Sequence, residues 1–235
     1  MEMEARGWRL DELAHAGEEH LDPAYVETYD RKAQTDPTHD LIMQRELGLD
    51  KNSVLIDYGA GTGTFALAAA PFCGRVTAVD LSSAMLSVLQ AKADRQAAPN
   101  LEIAQGGFLT YEHQGELADF VYSRNALHHV PDFWKAIALQ RVASMLKVGG
   151  VLQLRDLVYS FDPGETERVI APWLAGAAER PEDGWTRAEY ETHLREEFST
   201  FSWLLEPMLE RAGFEIRQVE HSANRIYSAY TCLKR

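Results

Sequence analysis

Cysteine is scarce in this chain of 235 residues. There are two, Cys73 and Cys232, far apart, with no C-x-x-C pair and no Cys/His ladder of zinc spacing. That argues against a disulfide scaffold and a finger-type metal site, and predicts two free thiols in a reducing compartment, with no metal. Basic residues are in deficit: 23 Lys plus Arg against 36 Asp plus Glu, a formal net charge of −13. Such a surface repels phosphate backbones and anionic lipid at long range, so neither nucleic-acid nor membrane partners are expected. No apolar run approaches the roughly 20 residues of a membrane helix. The opening Met1-Glu2-Met3-Glu4-Ala5-Arg6 lacks the basic-then-apolar order of a signal peptide. The expectation is a cytoplasmic monomer or homodimer.

What is present is an ordinary globular balance, 46% hydrophobic and 25% charged residues, enough for one sizeable core. Short apolar runs alternate with helical patterns. Val54-Leu55-Ile56-Asp57 reads as a strand, Gly59 to Gly63 as a tight turn and Phe65 to Ala70 as a helix. The unit repeats with a strand Arg75 to Asp80 and a helix Ala84 to about Asp94, capped by Ser82 or Ser83. Strands follow at Leu101–Ala104 and Ala118–Ser123. A helix then runs from Asp132 to Leu146, and Gly149-Gly150 turns the chain into a fifth strand, Val151–Arg155. The end differs: a helix Leu204–Ala212, a strand from Phe214, a turn at Asn224 and a last strand Ile226–Leu233. The βα alternation predicts an α/β, doubly wound, mostly parallel sheet with helices on both faces, closed by an antiparallel pair. One domain over 1–235 is expected. Residues 1–38 and 157–203 fit no βα repeat and are expected as a helical N-terminal lid and an insert over the substrate site. The insert's Tyr159, Phe161, Trp173, Trp185 and Tyr190 suit both a pocket wall and internal packing.

The strongest local signal is Asp57-Tyr58-Gly59-Ala60-Gly61-Thr62-Gly63, between a strand and a helix. Glycines there allow a sharp turn and close approach of a ligand to the main chain. Asp80 ends the next strand, 80 − 63 = 17 residues beyond Gly63. A carboxylate at that place accepts hydrogen bonds from both ribose hydroxyls of a nucleoside. A purely structural turn, with Asp80 capping a helix, is the competing reading. Dehydrogenases use G-x-G-x-x-G, but the third glycine position is Thr64 here. The G-x-G-x-G spacing suits a nucleoside without phosphates.

These motifs, with Ala118-Asp119-Phe120-Val121, Asn125-Ala126-Leu127-His128-His129 and Leu146-Lys147-Val148-Gly149-Gly150, stand in the order seen in class I S-adenosylmethionine-dependent methyltransferases. The chain resembles their small-molecule branch, which includes ubiquinone- and menaquinone-type C-methyltransferases and sugar or polyketide O-methyltransferases. The resemblance implies a Rossmann-like sheet of order 3-2-1-4-5-7-6 with strand 7 antiparallel, and S-adenosyl-L-methionine as cofactor. It implies that Gly59, Gly61 and Gly63 approach the methionine part and that Asp57 receives its amino group. Asp80 would bind the ribose, Leu81 and Met85 would pack on adenine, Asn125 would line the methionine side, and Tyr29 would help close the pocket. Many relatives carry an acid after strand three that accepts from the adenine amino group. This chain has Gln105-Gly106-Gly107-Phe108, so backbone near Gly107 and Phe108, or the Gln105 side chain, is expected instead.

In open α/β sheets ligands sit at the carboxyl ends of the strands. His128 and His129 follow strand four and Asp156 follows strand five, so they are candidates to converge on the transferred methyl as a base and its orienting carboxylate. The competing reading is a helix cap. Arg155 could meet an anionic substrate, but a salt bridge or a solvated strand end is the simpler reading. The expected function is methyl transfer to oxygen or carbon of a small-molecule acceptor. The alternatives are a non-catalytic cofactor-binding module and a nicotinamide-dependent oxidoreductase.

Overall fold

The computed structural model describes residues 7–235; the first six residues of the expected lid lie outside it. Seven strands form one sheet: β1 (Val54–Tyr58), β2 (Arg75–Asp80), β3 (Leu101–Gln105), β4 (Ala118–Arg124), β5 (Leu146–Asp156), β6 (Phe214–His221) and β7 (Ser228–Lys234). Their spatial order is 3-2-1-4-5-7-6. The first five are mutually parallel, and β7 runs antiparallel between β5 and β6. A two-residue pair, Val158-Tyr159 with Thr200-Phe201, stands apart from this sheet and encloses the insert. Besides a single turn at Glu18–Leu21, the α-helices among the described residues are α1 (Pro23–Ala33), α2 (Thr38–Glu46), α3 (Thr64–Ala69), α4 (Ser83–Gln96), α5 (Asp132–Met145), α6 (Thr166–Ala175), α7 (Arg187–Glu196) and α8 (Ser202–Arg211).

The two-residue period of the strands decides which side chain enters which layer. On β1, Val54, Ile56 and Tyr58 join Leu139, Val142, Leu205 and Leu209 of α5 and α8. Leu55 turns to the other face and packs with Phe65, Leu86 and Leu89 of α3 and α4. β4 and β5 divide in the same way, Val121 and Leu152 to the first layer, Phe120 and Val151 to the second. Ser82 caps α4, its hydroxyl accepting from the Met85 N–H at 3.1 Å. Gly149 and Gly150 do not introduce the fifth strand, as the sequence suggested. They lie inside it, where pairing with β4 skips between Ala118 and Phe120, and Gly149 takes φ +81°. A positive φ at a bulge explains the glycine better than a strand entry does. Ile226 and Tyr227, expected in the last strand, precede it.

The insert builds a third cluster of its own. Leu157, Tyr159, Phe161, Val169, Trp173 and Ile226 are buried together, and Trp173 stacks on Tyr190 at 4.3 Å. The N-terminal segment is pinned to the sheet end by polar contacts. The Ser82 hydroxyl donates to the His20 carbonyl at 2.7 Å, and Asp30 of α1 takes both the Thr62 hydroxyl and the Lys92 ammonium. Both cysteines are free and buried. Among the described residues no helix is long and apolar enough to cross a membrane.

Candidate active site

Two cavities meet at the carboxyl ends of β1, β2, β4 and β5. The first is lined by Gly59 and Gly61 of the glycine turn, Asp80, Leu81 and Met85 after β2, Gly107 and Phe108 after β3, and Asn125 after β4. Most of the side chains predicted to bind the cofactor are thus brought together. The glycine turn divides its work. Gly61 lines the cleft, and a Cβ there would meet nothing within 4 Å, so its bare main chain borders open space. A Cβ at Gly59 would lie 2.3 Å from that of Ala126, and one at Gly63 1.9 Å from Leu89 Cδ1. Gly63 is therefore set by packing against α4 and is not among the residues that line the cleft. Asp57 is not on the wall either. Its buried carboxylate accepts from the Ala66 N–H at 3.0 Å, and burial pushes its pKa up to about 7.

Asp80 lines the cleft at the carboxyl end of β2. One oxygen accepts from the Gly61 N–H and the other from the Ser82 N–H, both at 2.8 Å. Burial raises its pKa, and these donors hold part of that rise back. The carboxylate is oriented before any ligand arrives, and it also fixes the glycine turn. Gln105 is exposed and donates its amide to the Leu81 carbonyl at 3.0 Å. Glu12 stands beside the residues that follow β3. Its carboxylate is 4% exposed and accepts from the Leu109 N–H at 2.9 Å and the Thr110 hydroxyl at 3.1 Å. Its other oxygen, Oε1, is buried without a partner, and the residue lines the cleft beside Gly107 and Phe108. A Cβ at Gly107 would fall 2.6 Å from Oε1, so that glycine makes room for Glu12. No pattern in residues 7–17 announces this. The segment has no helical or strand period, and the contact spans 97 residues.

The second cavity, about 340 Å³, is lined by His128, His129, Leu157 and Tyr227 from the sheet end, and by Trp185, Tyr190, His193 and Glu197 of the insert. It shares His20, Tyr29, Asn125 and His129 with the first cleft. Asp156 lies behind this wall. It accepts from the Leu127 N–H at 2.8 Å, the Leu157 N–H at 2.7 Å and His128 Nδ1 at 2.5 Å. His128 Nε2 faces Glu197 at 3.2 Å, so both ring nitrogens are engaged. Burial opposes its charged form, but the carboxylates of Asp156 and Glu197 prevail and hold its pKa up to about 9. His128 is therefore no free base. His129 is the opposite case. Burial and the neighbouring His128 drive its pKa down to about 3, and its Nδ1 is buried without a partner. Arg155 and Arg124 both reach Asp40 of α2, at 3.4 and 3.5 Å, which favours the salt-bridge reading of Arg155.

A family model described as methyltransferase domain matches residues 55–150. The sheet order 3-2-1-4-5-7-6 is the one that the resemblance to class I S-adenosylmethionine-dependent methyltransferases implies. YcgJ of Bacillus subtilis (strain 168), an uncharacterized methyltransferase, is 31% identical over 109 residues, 46% of this chain and 42% of YcgJ. The chain thus spans less than half the length of that relative in the match. The crystal structure of YcgJ shares the fold at TM-score 0.60 with 18% identity, over 83% of this chain and 96% of that one. Magnesium protoporphyrin IX methyltransferase from Synechocystis PCC 6803, solved with bound SAH, does so at TM-score 0.62 with 16% identity, over 85% and 82% of the two chains. The [4+2]-cyclase SpnF matches at TM-score 0.62 with 16% identity, over 83% and 78%. The methyltransferase fold therefore hosts more than one reaction, and the site has to carry the functional argument.

Proposed function

We propose that the chain transfers the methyl group of S-adenosylmethionine to an oxygen or carbon atom of a small-molecule acceptor. The observation that carries this is the wall common to the two cavities. A cofactor lying along Gly59, Asp80 and Gly107 would present its methionine end to Asn125 and His129, with a second chamber directly beyond them. A module that merely binds cofactor needs no such chamber, and a volume of about 340 Å³ lies in the range of small-molecule sites, ~300–1,000 Å³. The cleft fits the cofactor on its own terms: an open main chain at Gly61, an oriented carboxylate at Asp80, and an unpartnered buried acceptor at Glu12. In this reading Glu12 accepts from the adenine amino group, doing from the N-terminal segment what an acid after β3 does in many relatives. When bound, the cofactor supplies an electrophilic methyl on a sulfonium, a good leaving group.

The chain's residues then have mostly to align. Near-attack positioning alone is worth ~7 kcal/mol or more. His129, neutral at any working pH, accepts a hydrogen bond from the acceptor and holds it toward the first cleft. Asp156 fixes His128, which braces the wall behind it. Tyr29 and His20 close the junction from above, so residues 7–38 act as a lid and the insert as the acceptor-side cover. Calorimetry tests the cofactor: the demethylated product should bind and NAD should not. A screen of acceptor pools with isotopically labelled cofactor tests the reaction. No label transfer to any small molecule, with the product binding normally, would favour the non-catalytic module.

A further inference from the structure

His128, His193 and Glu197 come from two distant parts of the chain and meet on the wall of the second cavity. His193 Nδ1 pairs with the Glu197 carboxylate one helical turn on, and the same oxygen lies 3.2 Å from His128 Nε2. One ligand-type atom from each of the three lies within 4.8 Å of the others. We propose that these three side chains bind a divalent transition-metal ion such as Zn²⁺, with its remaining positions open to the acceptor cavity. Two imidazoles and one carboxylate are a donor set for such ions, and open catalytic zinc sites use three protein ligands of this kind. Metal–nitrogen and metal–oxygen bonds of ~2.0–2.1 Å at tetrahedral angles separate neighbouring donor atoms by about 3.3 Å. The His128–Glu197 spacing already matches that figure, whereas His193 Nδ1 lies closer to the Glu197 oxygen and would draw back to admit the ion.

The second observation is what stands behind the ligands. His128 gives its far nitrogen, Nδ1, to the buried Asp156, the carboxylate–histidine arrangement that fixes tautomer and ring direction in metal sites. His193 gives its far nitrogen, Nε2, to the Ser199 hydroxyl at 2.8 Å. Each imidazole therefore has its outer edge tied to protein and its inner edge turned to the same carboxylate. Both rings are buried, and the cavity on the open side leaves room for an oxygen of the acceptor. The sequence offered no metal spacing here, because 65 residues separate the two histidines, and residue 193 lies in the insert.

The inference does not rest on methyl transfer, and its test does not read activity. The full-length chain, stripped with chelator, is titrated with Co²⁺ and followed by its visible absorption, then back-titrated with Zn²⁺. The expected result is one equivalent of Co²⁺ with the intense bands of a four- or five-coordinate ion, displaced by Zn²⁺. Glu197→Gln, which keeps shape, and His193→Ala should each weaken binding more than tenfold, and Asp156→Asn by roughly 10- to 100-fold. Binding of the demethylated cofactor product serves as the folding control for every variant. The proposal is overturned by a spectrum that stays that of the hydrated ion, or by wild-type affinity in both Glu197→Gln and His193→Ala. Metal binding without cofactor-product binding would instead sink the methyltransferase reading and leave this one standing.

Discussion

Removing the charge at Glu12 while keeping its shape is the sharpest perturbation of the cofactor reading. In Glu12→Gln the amide oxygen can still accept from the Leu109 N–H and the Thr110 hydroxyl, so the N-terminal segment keeps its anchor. The buried, unpartnered Oε1 position then holds an NH₂ group, which meets the adenine amino group donor to donor. A charge-assisted hydrogen bond contributes ~1.5–3 kcal/mol, and leaving a buried donor unsatisfied costs a similar amount. At 1.4 kcal/mol per factor of ten, the demethylated product should bind roughly 10- to 150-fold more weakly. Titration calorimetry measures this directly. Its deaminated analogue, with a carbonyl in place of the amino group, separates recognition from loosening of the segment. Wild type should discriminate against the analogue, and Glu12→Gln should lose or reverse that preference. An unchanged affinity for the adenine form, or the same adenine-to-analogue ratio in both proteins, would refute the assignment of Glu12 to the base.

Asp80→Ala should weaken product binding at least as much as Glu12→Gln, since it removes the ribose acceptor and frees the Gly61 and Ser82 N–H groups; calorimetry reads it. His129→Ala should lower kcat by roughly tenfold or more with product affinity within a few-fold of wild type; full turnover would reduce the residue to wall packing. Gly63→Ala should destabilise the fold by about 2–4 kcal/mol, because it puts a Cβ at φ +81° and against Leu89; urea unfolding checks this. Burial raises the folded pKa of Asp57 to about 7, above the ~3.9 of an unfolded chain. The folded state thus holds the proton more tightly, so this contribution is complete below about pH 4 and is lost as pH rises toward 7. Asp57→Asn keeps an acceptor for the Ala66 N–H and should flatten that slope, gaining on wild type as pH rises from 5 to 7.5 in denaturant midpoints.

The sheet was legible because alternation and glycine placement are local. Val54–Asp57, Arg75–Asp80 and Ala118–Ser123 declare strands by composition, and Asp80 falls at a strand end by counting. The sequence places the start of β5 at Val151 because Gly149-Gly150 looks like a turn, whereas pairing from Leu146 to Ala118 absorbs both glycines in a bulge. The motif offers three glycines, of which Gly59 and Gly61 line the cleft while Gly63 is fixed by Leu89, 26 residues on. His128, His129 and Asp156 lie side by side, as their places after strands four and five imply, but the sequence does not say which nitrogen meets which carboxylate. The partner that engages His128 Nε2 is Glu197, in an insert with no period to place it. Glu12 was invisible for the same reason, its partners lying across the whole first half of the chain.

The cluster that holds the insert together shares no buried residue with the two layers that hold the sheet. Substitutions around Trp173 or Phe161 therefore need no compensating change beneath the glycine turn. If the proposed function holds, descendants of this protein are free to drift toward new acceptors while inheriting the cofactor cleft intact, and directed evolution of acceptor scope should find its tolerant positions between 157 and 203.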